Sequence, residues 1–392
     1  MGKKISIAII DNGINQKAFY EVTGKHIDSY YASDKNFTQI TEEIHSINHG
    51  TFCSAIVAEF APNTKFINIA VFDEKGNSSI DRFRTALNWC CANNIDVISM
   101  STGFTNWFEV KDIEYEIKKL YNMGIVIVAA CSNRNIITYP ASLPEVLGVK
   151  YCDCSKLKEG EYIFVPNSKD GIDIKSSMPK LECMNKFKLN YGVGLGVSNS
   201  LVTPYIAGLI SNIIVEKNEK INIEDIRNML ITNPLAKNHT CLSASDYDEN
   251  KKIGIPIVTI VCDNEYKSEI SNFSKLLLDC FQTEEYSTAL LSFDTKTDFY
   301  ANTFQIKRGD IQKQLLYFHE KLILDIIFVL VSSKNFSKEI DNISDLVLVN
   351  SKIDCCLNLD EEKVITINGL GKNDYLLDEI YDKIITKFAE EG

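Results

Sequence analysis

The sequence predicts an α/β fold: a parallel sheet with helices on both faces, followed by a second, smaller α/β domain. Three observations carry this. Short β-branched apolar runs alternate with helix-period segments through residue 231. A polar, irregular stretch then follows from 234 to 252 (PLAKNHTCLSASDYDENKK), and a second alternating set begins at 255. Buried strands alternating with helices indicate a parallel sheet covered on both sides.

In the first set, ISIAII (5–10) is a short apolar run, interrupted only by Ser6 and closed by the turn signal Asp-Asn-Gly, so it reads as a buried first strand. KFINIAVF (65–72), DVISMS (96–101), IVIVAA (125–130) and VLGVKYC (146–152) have the same character. Helix periodicity places helices at 50–60, 80–93, 110–123, 200–216 and 223–231. The second set gives strands at 255–262, 287–293, 325–333, 345–350 and 363–367, with helices at 267–281, 309–323 and 374–390. The expected domains are therefore 1–245 and 253–392.

Of 392 residues, 45% are hydrophobic and 24% charged, as in ordinary globular proteins. A net charge of −12 argues against a nucleic-acid partner, whose phosphates select a basic face. No run reaches the roughly 18 apolar residues of a membrane span, so no membrane partner is expected. The N-terminal apolar run is shorter than the ~7–15 residues of a secretion-signal core, which predicts a cytoplasmic protein. Twelve scattered cysteines, including the adjacent pairs Cys90-Cys91 and Cys355-Cys356, read as reduced core thiols rather than a disulfide framework.

The chemistry is concentrated in four places. GVGLGVSNSLVTPYIAGLI (192–210) runs from spaced glycines into a helix whose Pro204 must lie near its start, which sets Ser200 at the positive helix end. The glycines read as tight turns or close backbone approaches. AIIDNGIN (8–15) ends a buried strand in Asp11, where open parallel sheets place ligand groups. NHGTFCSAIVAEF (48–60) opens a helix with His49, and GIVIVAACSNRN (124–135) ends a strand just before Asn133. Taken singly, Ser200 reads as an N-cap, Asp11 as a turn residue, His49 as incidental and Asn133 as a loop residue.

Taken together, in the order Asp, His, Asn, Ser, the four boxes resemble the subtilisin-like serine peptidases (subtilases). DNG stands for the aspartate box, HGT for the histidine box and AACSN for the oxyanion segment. Ser-Leu-Val-Thr-Pro-Tyr-Ile-Ala-Gly (200–208) stands for the serine box. The resemblance covers roughly residues 3–235 and implies a subtilisin-like parallel sheet. It implies Ser200 as nucleophile, His49 as general base, Asp11 orienting the imidazole and Asn133 as oxyanion donor. It further implies that Ser101, Thr102 and Gly103 bind an extended peptide substrate as an added strand. Four departures stand out: Ser198 for a glycine, Asn199 for a threonine, Tyr205 for a histidine and Ser132 for a glycine. No cofactor is expected. A metal site on His45, His49 and Cys53 is weighed and set aside, because Gly50 and the histidine box put His49 at the helix start.

In the second domain, Lys267-Ser268 follows a buried strand as in a phosphate-binding loop. However, Val261 and Tyr266 occupy the glycine positions and would block phosphate. A Rossmann-like or P-loop-like domain that docks a substrate or partner is expected. With no segment before the first strand, the enzyme would be active as made and need a dedicated substrate. Removal of a leader from a ribosomally made peptide is the expected role. General intracellular proteolysis and a catalytically silent peptide binder are the alternatives.

Overall fold

The computed structural model describes residues 5–41, 44–217, 221–237, 253–262, 267–350, 361–367 and 375–391. At its centre β1 (Ser6–Asp11) pairs in parallel with β4 (Lys65–Ala70) on one side and β5 (Val97–Met100) on the other. Outward from β5 run β6 (Val126–Ala130) and β7 (Val146–Tyr151), also parallel. Outward from β4 runs β2 (Ile27–Ala32), edged by the antiparallel β3 (Phe37–Gln39). Beyond β7 the sheet closes with the short strands β9 (Ile174–Ser176), β8 (Tyr162–Phe164) and β10 (Ala236–Lys237), with β8 and β9 antiparallel.

The strands alternate their side chains between two covered faces, as the continuous apolar runs require. Ile7 and Ile9 of β1, Val97 of β5 and Val126 and Val128 of β6 join one core cluster. That cluster is built with helices α1 (Gln16–Thr23), α2 (His49–Phe60), α5 (Glu182–Tyr191), α6 (Asn199–Lys217) and α7 (Ile223–Thr232). Ala8, Ile10, Ile98 and Met100, on the other side of the same strands, are fully buried as well. Two helices packed on each other, α3 (Ile80–Ala92) and α4 (Phe108–Asn122), complete the set. Helix α6 is buried nearly all round, which explains why its sequence shows no amphipathic stripe.

Chain contacts divide the molecule into two units, Met1–Ala244 and Ser245–Gly392. In the second, six described strands form one sheet whose pairings are all parallel. Its centre is β11 (Ile257–Cys262) between β14 (Ile326–Ser332) and β15 (Leu346–Asn350). Outside these lie β12 (Thr288–Ser292), β13 (Thr303–Gln305) and β16 (Val364–Ile367). Helix α8 (Lys267–Thr283) and the last helix, Tyr375–Glu391, share its apolar core with β11 and β14. Val261 is buried inside β11. Tyr266, the second blocked glycine position, lies outside the described residues, as does the stretch 246–252 between the two expected domains. No described helix is long and apolar enough to cross a membrane.

Candidate active site

The carboxyl ends of β1, β5 and β6 and the amino ends of α2 and α6 meet at one edge of the large sheet. Asp11 closes β1 and is almost fully buried. His49 is the first residue of α2, whose start is capped by Asn48 accepting from the Thr51 N–H. The Thr51 hydroxyl also donates to Asn48 Oδ1 and accepts from the Asn15 N–H. The side chain of Asn12 accepts from the Gly50 N–H at 2.8 Å, fastening the start of α2 to the end of β1. Gly50 is obligatory in this joint. A Cβ there would stand 2.3 Å from the Gly13 carbonyl oxygen and 3.1 Å from Asp11 Cβ, so any side chain would push His49 off Asp11.

The result is a connected chain of three groups. His49 Nδ1 lies 2.8 Å from Asp11 Oδ2 and 3.0 Å from Oδ1, and its Nε2 lies 2.9 Å from Ser200 Oγ. Ser200 is the second residue of α6. Pro204 lacks the N–H that would meet the Ser200 carbonyl one turn on. That carbonyl instead accepts from the Ser101 hydroxyl at 2.9 Å and from the Cys53 thiol at 3.6 Å. Proline, serine and cysteine together thus fix the backbone that carries the hydroxyl.

These groups open onto a cleft of about 1440 Å³ that is also lined by Thr102, Gly103, Asn133, Tyr31, Phe72 and Glu74. The subtilase family profile matches residues 2–277, well over half of the chain. The chain belongs to the subtilase family. Subtilisin DY of Bacillus licheniformis is 25% identical over 247 residues, 58% of this chain and 83% of the relative. The minor extracellular protease Epr of Bacillus subtilis is 25% identical over 218 residues. That match spans 54% of this chain but only 32% of the longer relative. Among solved structures, the crystal structure of a lanthipeptide protease aligns at a TM-score of 0.45 and 15% identity. It covers 58% of this chain and 79% of that one.

In this subtilase all four sequence-derived residues border the cleft, and so do Ser101, Thr102 and Gly103. Asn133 is exposed, with its side-chain oxygen accepting from the Asn199 N–H at 3.1 Å. Burial lowers the pKa of His49, but the hydrogen bond to Asp11 and the charge of that carboxylate outweigh it, and the net shift is upward. Burial, and then the negative charge of Asp11, push the Cys53 thiol well above its ordinary range. Cys53 Sγ is 3.5 Å from His49 Nδ1, and Asp11, His49 and Cys53 are the described residues whose donor atoms cluster within 4.8 Å. A thiol held protonated is a poor nucleophile, and exposed His45 lies outside this cluster.

Two of the departures have partners that the sequence does not reveal. Ser198 Oγ lies 2.9 Å from Ser200 Oγ, so the departure from glycine adds a hydroxyl beside the central one. Tyr205 is buried and donates to the Gly160 carbonyl at 2.6 Å, which anchors the loop before β8. The spaced glycines behave differently from the expectation. Gly192 has φ +68 and ends α5 by donating to the Lys188 carbonyl, but nothing lies within 4 Å of a Cβ at Gly194 or Gly196. No backbone approaches those two.

Proposed function

We propose that this chain is a serine endopeptidase. The single observation that supports it is the imidazole of His49 joining buried Asp11 to the cleft-facing hydroxyl of Ser200 at 2.8 and 2.9 Å. In the proposed reaction, Ser200 Oγ attacks the scissile carbonyl carbon while His49 Nε2 takes its proton. Asp11 holds Nδ1–H and stabilises the imidazolium. The oxyanion receives the Asn133 amide and the Ser200 N–H at the head of α6. The C–N bond breaks as His49 returns the proton to the leaving amine. Water, activated by the same imidazole, then frees the acyl group. The substrate peptide lies extended beside Ser101, Thr102 and Gly103.

The finer reading is a dedicated cytoplasmic processing enzyme that removes a leader from a ribosomally made peptide. In this reading the C-terminal unit docks the precursor or a partner. A peptidase sheet joined in one chain to a second parallel sheet supports it, since the triad chemistry by itself has no use for the second sheet. A fluorophosphonate probe is expected to label the native chain and to leave Ser200→Ala unlabelled; an unlabelled native chain refutes the peptidase reading. Incubation with a mixture of unfolded proteins tests the finer reading, because extensive degradation is incompatible with a dedicated processing role.

A further inference from the structure

Asn199 stands where the resemblance has a threonine, and its surroundings show what the exchange does. The side chain is 5% exposed. Its Oδ1 accepts from the Tyr151 N–H at the end of β7 at 2.8 Å. Its Nδ2 donates to the Cys131 carbonyl at 3.1 Å and to the Ser132 carbonyl at 2.9 Å, so both amide hydrogens are committed. The backbone N–H of the same residue donates to Asn133 Oδ1 at 3.1 Å. A threonine hydroxyl has one hydrogen and could not hold two carbonyls at once.

The chemistry of these bonds sets the direction of the Asn133 amide. A backbone N–H can only donate, so Asn133 must turn its oxygen toward the Asn199 N–H, which sets its NH₂ on the other side of the amide. The segment 131–133 that carries this side chain is held by its carbonyls to the Asn199 amide, and Asn133 borders the cleft. We propose that Asn199 is a positioning residue that aims the Asn133 NH₂ at the developing oxyanion and keeps it fixed during the reaction. The inference rests on the serine-peptidase reading and adds to it a residue that acts only through Asn133.

The test is a double-mutant cycle on the full chain, read by the rate constant of bond formation (kinact) and the binding constant (KI) of a fluorophosphonate. Asn199→Ala is expected to lower kinact by about 10- to 100-fold with KI unchanged, because a loosened donor weakens the transition state and not the encounter complex. Asn199→Asp, which keeps the size and the Tyr151 contact but has no hydrogens for the two carbonyls, should fall in the same range. It serves as the second variant should alanine impair folding. Combined with Asn133→Ala, either change should cost nothing further, since the group through which it acts is already gone. Multiplicative losses in the double variant, a change in KI alone, or single variants at the native rate would each overturn the inference while leaving the peptidase reading in place. A native chain that the probe does not label would instead remove the reading on which it rests.

Discussion

In the N-terminal unit, the ends of β1, β5 and β6 deliver Asp11, Ser101 and Asn133 to one cleft. In the C-terminal unit, β12 and β14 end in Ser292 and Ser332 at the carboxyl edge of a sheet whose described pairings are all parallel. There, however, the polar groups are absorbed by the turns themselves. Ser292 Oγ accepts from the N–H groups of Asp294 and Thr295, and the Ser332 carbonyl accepts from those of Asn335 and Phe336. Arg308 and Asn335 bond each other at the surface. Among the described residues, the histidine that meets a carboxylate is His49 alone, and it comes from a helix start rather than from a strand. Strand ends therefore provide places, and reactivity requires a histidine brought in from outside the sheet to meet the strand-end carboxylate.

The largest effects should come from breaking the chain of groups that His49 joins. Ser200→Ala is expected to reduce kcat by about 10⁶, the magnitude known for the nucleophile of a subtilisin and not one set by the present geometry. Progress curves on any peptide that the native chain cleaves will read it. Asp11→Asn should cost about 10⁴ in kcat by favouring the wrong imidazole tautomer. It should also move the titration of His49. The active form is the neutral imidazole, so native activity rises with pH through a pKa above the ordinary 6.5. With the carboxylate gone, burial alone remains and the midpoint should drop below that value. The His49 proton resonances, followed by NMR in a Ser200→Ala background, provide the check. An unmoved midpoint would mean that Asp11 does not govern the base.

The second unit offers the contrasting perturbation. Phe281 is fully buried, with the rings of Tyr381, Phe328 and Tyr286 centred 4.6, 5.3 and 5.8 Å away. Phe281→Ala should cost about 3–5 kcal/mol of stability through the cavity it leaves. If the units are as separate in function as their site chemistry suggests, the rate of Ser200 labelling at 20 °C will be unchanged while chemical unfolding shows an earlier transition. A parallel loss of labelling would show that the triad depends on the second sheet.

The readable and unreadable parts of the molecule separate along physical lines. The strands that end at the cleft, β1, β5 and β6, lie within a few residues of their expected bounds, because each is a short run rich in β-branched apolar residues. Strand β2 and helix α1 went unread, since the polar residues Asp28 and Ser29 break the apolar run of β2 and α1 has only eight residues. Strands β8 and β9 have three residues each, too few to show any period. Helix α5 has no side-chain cap of its own. Its first N–H groups, at Glu182 and Cys183, are taken by the Glu59 carboxylate from 123 and 124 residues away, a cap that no local reading could find. The same division runs through the site. Asp11, His49, Asn133 and Ser200 carry motif spacing, whereas the thiol of Cys53 and the amide of Asn199 acquire their roles from neighbours distant in sequence.

The smallest predicted effect concerns a partly buried carboxylate in the same unit as Asp11, and it asks whether perturbation by itself marks a functional site. Asp173 precedes β9, accepts from the Gly148 N–H at 3.2 Å and lies 3.6 Å from Arg227 Nε. Burial raises its pKa to about 6, although Arg227 and the Gly148 N–H pull the other way. In the unfolded chain it should titrate near 3.9. The folded state thus keeps a proton that the unfolded state releases between these values. Stability is full below about pH 4 and declines as pH rises through about 6, by roughly 2–3 kcal/mol. Asp173→Asn removes this titration while its amide oxygen can still accept from Gly148. Urea unfolding of the variant should match the native chain near pH 4 and show it more stable at pH 8, with fluorophosphonate labelling unaltered. Equal slopes against pH in the two proteins would mean that Arg227 holds Asp173 ionised throughout. Loss of labelling would instead tie this carboxylate to the cleft, from which its contacts at Gly148 and Arg227 now set it apart.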